Sequence, residues 1–378
     1  MEGTSQKRTR TEKPGAARND GATSSDESTL DSSTYLTYDV LRIVFQYLSA
    51  RNLANAAVVC RSWLEAANDE RCTRGPCCFF QCYRKQNDSD LLSCIANIRI
   101  KPSVGFFFIP EYTPRIIEVC IWKLLPEDCE TVMLYSNGII VENNEMEKHT
   151  RPNIVCAFLP QIPNVKIKSF KIVRKAIERS AEFEEIMSII ANQEIAWARG
   201  ESSTCFMLFC NDLGHNLAKH WASAVKQRSK NVDSVWGGVL QDIYAYRCTY
   251  KKIYSIRNER PKCIAVLITG PIQTWSTVVD NRFNTKELVK TKLEQFKKTV
   301  RLKKHSVGFM FVCKARGSNM HKETNVESTI FKKLFPKVPL VGCFGYGEFG
   351  KSSSKYDFSA DNSWYNEFST VFMILTYG

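Results

Sequence analysis

The residues best suited to chemistry form one glycine-rich run, Gly345-Tyr346-Gly347-Glu348-Phe349-Gly350-Lys351-Ser352. Its spacing fits G-x-x-x-x-G-K-[ST], the loop that holds nucleotide phosphates on backbone N–H groups at the start of a helix. A phosphate loop must therefore open a helix. Here the run continues as SSKYDFSADNSW, dense in Ser, Asp and Asn, which favour turns over helix interiors. Nor does an apolar strand ending in Asp offer a magnesium ligand. Nucleotide binding is not expected.

The chain carries fifteen cysteines. Zinc ligand pairs of the form C-x(2–4)-C usually have the second pair some distance away; Cys72, Cys77, Cys78 and Cys82 are compressed into one stretch and read as buried thiols. Neither a metal site nor a cofactor is expected. Cys210 and Cys313 each close an apolar run, with Gly214 or Gly317 following within four residues. Strand ends in α/β sheets are where ligands bind, and Lys314 and Arg316 would lower the pKa of a thiol at Cys313. A catalytic cysteine also needs a base, and none can be assigned. The expectation is a non-catalytic recognition cleft built from Cys210, Cys313, Arg316, Gly345, Tyr346, Gly347, Glu348 and Phe349. Its nearby cations suit an acidic or phosphorylated segment.

Short apolar runs must position these residues. Strands are expected at 104–109, 131–135, 154–159, 165–170, 205–210, 234–240, 263–269, 307–313, 340–344 and 370–375, each rich in Val, Ile, Phe or Tyr. Helical periodicity predicts helices at 89–97, 114–125, 182–196, 216–228, 286–300 and 325–334. Thr113-Pro114 and the Thr324/Glu327 pair have helix-start spacing. SVGFFF at 103–108 returns as SVGFMF at 306–311, and IWKLLP at 121–126 returns as FKKLFP at 331–336. A looser echo runs from CFMLFC at 205–210 to VWGG at 235–238. The repeat predicts a pseudo-duplicated α/β body of mixed sheets and helices, with subdomains at 76–200 and 201–378. The glycine turns after Tyr135 and at 345–350 should then be equivalent.

With 44% hydrophobic and 24% charged residues, the composition is that of a soluble globular protein. No apolar run approaches the roughly 20 residues that span a bilayer, and no signal peptide is evident, so membrane association is not expected. Cytoplasmic and nuclear residence follows as an expectation. The net charge of +13 is scattered, which favours a solvated basic surface over nucleic-acid binding. Residues 1–33 have almost no apolar content and read as a disordered tail.

Before the body lies a stretch with too many apolar residues for one helix face: Leu36, Val40, Leu41, Ile43, Val44, Phe45, Tyr47 and Leu48, then Leu53, Val58, Val59, Cys60 and Trp63. A unit smaller than about 40 residues cannot bury that surface alone. A partner must cover the remainder.

Residues 34–71 resemble an F-box, a small N-terminal three-helix domain. The match is carried by Leu36, Asp39, Leu41, Leu48, Leu53, Val59-Cys60 and Trp63, with Thr37 replacing the family's proline. Thr37 can cap the first turn instead. The SVGFMF, KKLFP and GYGEFG segments, with the closing apolar strand, resemble the FIST domain, and the combination resembles the F-box only protein 22 family. The overall fold class is thus α+β or α/β. The resemblance implies that Leu36, Asp39, Leu41, Ile43, Val44, Leu48, Leu53, Val59, Cys60 and Trp63 dock on a Skp adaptor. Through it they would reach a cullin scaffold and a RING subunit. The body would hold protein substrates for ubiquitination and proteasomal degradation, some of them nuclear. The competing reading is a small-ligand sensor built on the same body.

Overall fold

The computed structural model describes residues 36–82, 89–147, 153–172, 180–197, 202–247, 261–353 and 364–378. The expected tail at 1–33 lies outside them. Three short helices come first: α1 (Tyr38–Phe45), α2 (Ala50–Ala56) and α3 (Arg61–Thr73). Side chains cap the first two, Thr37 accepting from Val40 N–H and Ser49 from Asn52 N–H. Helix α3 runs past Glu70 to Thr73 because Arg74 turns back and pairs with Glu70 at 2.8 Å, both side chains buried.

The body repeats one chain path three times. The first unit comprises β1 (Cys77–Cys82), α4 (Ser89–Ala96), β2 (Pro102–Pro110), α5 (Ile116–Leu124), β3 (Glu130–Ser136), β4 (Ile139–Val141), β5 (Asn144–Met146) and β6 (Asn153–Pro160). The second comprises β7 (Lys166–Ile172), α6 (Ala181–Trp197), β8 (Ser203–Asn211), α7 (His215–Arg228), β9 (Ser234–Leu240), β10 (Asp242–Arg247) and β11 (Cys263–Gly270). In the third are β12 (Gln273–Val279), α8 (Lys286–Thr299), β13 (His305–Cys313), α9 (Gly317–His321), α10 (Val326–Leu334), β14 (Leu340–Gly345), β15 (Glu348–Gly350), β16 (Tyr365–Asn366) and β17 (Thr370–Tyr377).

Each unit builds most of one sheet and lends one or two strands to another. The strand orders are β1-β6-β2-β3-β10, β7-β11-β8-β9-β15-β16 and β12-β17-β13-β14-β4-β5. The only parallel pairs among the described strands are β2/β3, β8/β9 and β13/β14, at the same place in each unit. The looser echo in the sequence is therefore a full third copy. Two subdomains do not describe this topology, because a boundary at 200/201 would separate β7 from β8 within one sheet. The sequence shows two copies plainly and the third only loosely, because SVGF recurs in β2 and β13 whereas β8 carries CFMLFC at that place.

Both faces of the sheets are buried, so the long strands read as nearly continuous apolar runs. Val104, Phe106 and Phe108 of β2 face a common interior with Met207, Phe209, Phe309 and Phe311 from the other two sheets. Trp236 sits at its centre, with ring centroids 6.3 Å from Phe108, 5.5 Å from Phe209 and 5.2 Å from Phe309. The alternate residues, such as Phe107 and Ile109, meet the covering helices α4 and α5. All ten strands and six helices read from periodicity form. The helix-start signals fare worse. Helix α5 begins at Ile116 without a side-chain cap, and α10 follows Asn325 in a left-handed conformation. Glu327 is drawn away from capping by Arg316.

Candidate functional site

In the helical unit the apolar residues sort into two sets. Leu41, Phe45, Leu53, Ala56, Ala57, Ala66 and Ala67 form a small private core, with Trp63 edge-on to Phe45 at 5.4 Å. Leu36, Ile43, Val44 and Val59 stay 52%, 58%, 44% and 60% exposed. Asp39 and Cys60 are exposed beside them, and Leu48 and Trp63 are half-buried. Leu41 and Leu53, expected to face a partner, are each 1% exposed and hold the unit together instead. The periodicity could not separate them, since three helices this short expose apolar faces on several sides. Val40, Tyr47, Val58 and Leu64 extend the exposed set.

The helices dock on the first unit of the body. Ala50 N–H donates to Ile98 O at 2.9 Å. Arg74 reaches Phe45 O at 2.8 Å and also Arg99 O, while Arg99 returns a bond to Gln46 O.

A second cluster lies where the chain leaves each unit for a lent strand. Asn137 sits between β3 and β4, Gln241 between β9 and β10, and Tyr346 between β14 and β15. Gln241 Nε2 donates to Tyr346 Oη at 2.6 Å, and Asn137 also touches that hydroxyl. The Asn137 amide lies with its NH2 on Glu111 Oε2 at 2.6 Å and its oxygen on Lys314 Nζ at 2.8 Å. Two equivalent backbone bonds tie the junction, Gln241 N–H to Tyr135 O and Tyr346 N–H to Val239 O, and Phe344 N–H to Gly138 O closes it by a different bond. The expected equivalence of the turns after Tyr135 and at Gly345 therefore holds, with Gln241 as the third member. Nothing in the sequence marked Asn137 or Gln241. Only the topology brings residues more than 100 positions apart into one network.

The loops at 313–317 and 345–351 are neighbours, as expected, through Lys314 N–H to Gly345 O at 2.8 Å. Most of the side chains assigned to the cleft are nevertheless not available. Arg316 is fully buried, and its five N–H groups are used on Glu327 and the carbonyls of Asp280, Phe283 and Phe368. Cys313 is 7% exposed. Burial and then the adjacent Glu348 push its thiol up to about 11, the reverse of activation. Glu348 is itself buried, pushed up to about 8 by desolvation against hydrogen bonds from Ser369. Phe349 packs against Tyr365, ring centroids 5.5 Å apart, and Cys210 pairs in register with Cys263 inside the second unit. Of the expected set, Tyr346 alone has an exposed side chain, at 43%.

The glycine run is not a phosphate loop. Glu348–Gly350 form strand β15, no helix follows it as far as the described residues run, to Ser353, and Lys351 Nζ is spent on Val232 O. A Cβ on Gly345 would meet the Phe311 ring at 2.4 Å and one on Gly347 would meet Tyr365 at 2.6 Å, so these glycines permit close packing. Among the described residues no His, Cys, Asp and Glu group could hold a metal ion. Cys72 is exposed and Cys77 and Cys78 are partly buried; the side chain of Cys82 lies outside the described residues.

Comparison with known proteins finds two domain matches. Residues 38–78 match the F-box-like model and residues 264–351 match the FIST C domain. The chain thus carries an F-box-like segment and a FIST C segment. It is similar to F-box only protein 22 of Homo sapiens and of Pongo abelii, each 21% identical over 82% of this chain and 84% of the relative. A solved structure, a cyanuric acid hydrolase from A. caulinodans, aligns over 80% of this chain and 99% of its own at 9% identity and a TM-score of 0.34. The F-box match covers the whole exposed apolar strip except Leu36. The FIST C match ends at Lys351, so it takes in Tyr346 and the run that imitates a phosphate loop. Among the described residues, no helix is long and apolar enough to cross a membrane.

Proposed function

We propose that the chain is the substrate-recruiting subunit of a Skp–cullin–RING ubiquitin ligase. The observation that carries this reading is the exposed apolar strip of the F-box, led by Leu36, Ile43, Val44 and Val59, on a unit whose other side is already anchored to the body. Burying such side chains is worth roughly 1.5–3 kcal/mol each, which makes an unpartnered strip a docking surface for the Skp adaptor. The body then holds a protein substrate in the cytosol or nucleus. Its role is proximity: tethering raises the local concentration of substrate lysines near the conjugating enzyme. Such a subunit performs no chemistry of its own. The high thiol pKa of Cys313 and the surface hydrogen-bond network at Asn137, Gln241 and Tyr346 are consistent with a recognition body.

Co-purification tests this. Wild-type protein should capture the Skp adaptor. Ile43→Asp with Val59→Asp should lose it while melting at the same temperature, because a buried unpaired charge costs several kcal/mol and both positions are exposed in the free chain. Full adaptor capture by that variant would overturn the reading.

A further inference from the structure

We propose that the groove between the F-box helices and the first unit of the body is a binding site for an acidic, carboxylate-rich peptide segment. It is about 740 Å³ in volume, within the roughly 300–1,000 Å³ typical of ligand-holding clefts. One wall is α2 and α3, the other the segments around Ile95–Pro102, Leu124–Glu127 and Pro160–Gln161.

Its charge is one-sided. Arg51, Arg71, Arg74, Arg99, Lys101 and Lys123 line it, against a single lining carboxylate, Glu127. Behind them Glu70 is shared by two guanidiniums, Arg74 at 2.8 Å and Arg99 at 3.5 Å. Arg71 donates to an uncharged partner, Asn68 Oδ1. Arg51, Lys101 and Lys123 are exposed and form no ion pair among the described residues. Like charges collected in a concave wall focus field and attract a counter-charge. The lower surface is aliphatic, with Ile98, Ile100 and Leu125 buried beneath it, and so accepts apolar side chains between the acidic ones.

The same lining argues against nucleic acid. It contains no aromatic side chain on which a base could stack. Three prolines, Pro102, Pro126 and Pro160, lack N–H donors there, so recognition falls to the cationic side chains. The groove shares no residue with the adaptor-facing strip, and both surfaces can be occupied together. Calling the peptide a substrate segment rests on the function proposed above; the binding itself does not.

The test uses the full chain and a fluorescein-labelled peptide of repeated Asp-Glu-Leu, followed by anisotropy. The peptide should bind, weakening as salt rises, and a Lys-Lys-Leu peptide should not. Arg51→Glu with Lys123→Glu should weaken binding about tenfold or more, equivalent to about 1.4 kcal/mol, at unchanged melting temperature and unchanged adaptor capture. Equal affinity in that variant would overturn the proposal. So would tighter, equally charge-sensitive binding of single-stranded oligo(U), which would make the groove a nucleic-acid site. Affinity that rises when residues 1–34 are removed would assign the groove to the chain's own acidic stretch around Asp26–Asp31 and overturn it too. Peptide binding that survives while wild-type protein fails to capture the adaptor would leave the groove standing and remove the ligase reading.

Discussion

Arg316 and Glu327 form an ion pair that solvent does not reach, Nε and Nη2 both donating to Glu327 Oε1 at 2.8 and 2.6 Å. Burial works against ionisation of Glu327, but Arg316 and His321 overcome it and hold the carboxyl below its ordinary pKa. The pair clamps the start of α10 to the loop after β13. Arg316→Met or Glu327→Gln leaves one polar partner stranded, and each should cost about 3–5 kcal/mol in denaturant unfolding. A loss below about 1 kcal/mol would show that the pair is not the clamp described.

Glu348 predicts an unusual dependence on pH. Its folded pKa of about 8 lies above the ordinary carboxylate value, so the folded chain holds a proton that the unfolded chain has released. Stability therefore falls as pH rises from the unfolded pKa to about 8, and the penalty is complete above that. Glu145, pushed up to about 7 by burial and then by the charge of Glu327, acts in the same direction. The melting temperature should drop by several degrees between about pH 5 and pH 8. Glu348→Gln should flatten that slope; a variant with the full wild-type slope would remove Glu348 as its source.

Thiol reactivity should follow exposure. Maleimide labelling with mass mapping should modify Cys60, Cys72 and Cys94 first, since all three are exposed. Cys313, with its thiol pushed up to about 11, should lag far behind, because the thiolate is the nucleophile. Labelling of Cys313 at the rate of Cys60 would contradict the burial described.

Leu41 and Ile43 are two positions apart on α1 and should behave oppositely. Leu41→Ala opens the small helical core and should cost about 2–5 kcal/mol. Ile43→Ala, 58% exposed, should stay within about 0.5 kcal/mol in the free chain. Circular dichroism of the two variants during unfolding separates core from docking surface.

The sequence made the long elements easy to see and the site hard to see, for one physical reason. Strands such as β8 and β13 are buried on both faces, so their middles are continuous apolar runs that announce themselves. The lent strands β4, β5 and β15 are three residues each, too short for any periodicity, and β10 (Asp242–Arg247) begins with a charge. Yet these carry the chain through the junction of Asn137, Gln241 and Tyr346. Arg316 and Glu348 looked like ligand-binding residues because charged residues rarely enter a core. In the fold Arg316 is satisfied internally by Glu327 and backbone carbonyls, and Glu348 Oε2 is held by Ser369. The cationic groove was equally hidden: Arg51, Lys101 and Lys123 are scattered along the chain and meet only through docking of the helices.

The lending of strands also limits what can be inherited separately. Residues 264–351 carry a recognisable signature, but that segment lacks β17, which lies between β12 and β13, and lacks β4, which borders β14. Cut out, it would present bare backbone edges beside β13 and β14, the kind that template aggregation. Such a segment cannot travel between genes as a cassette. What recombination can move intact is the closed ring of three units, and an F-box added at its front is a graft onto a whole rather than onto a part.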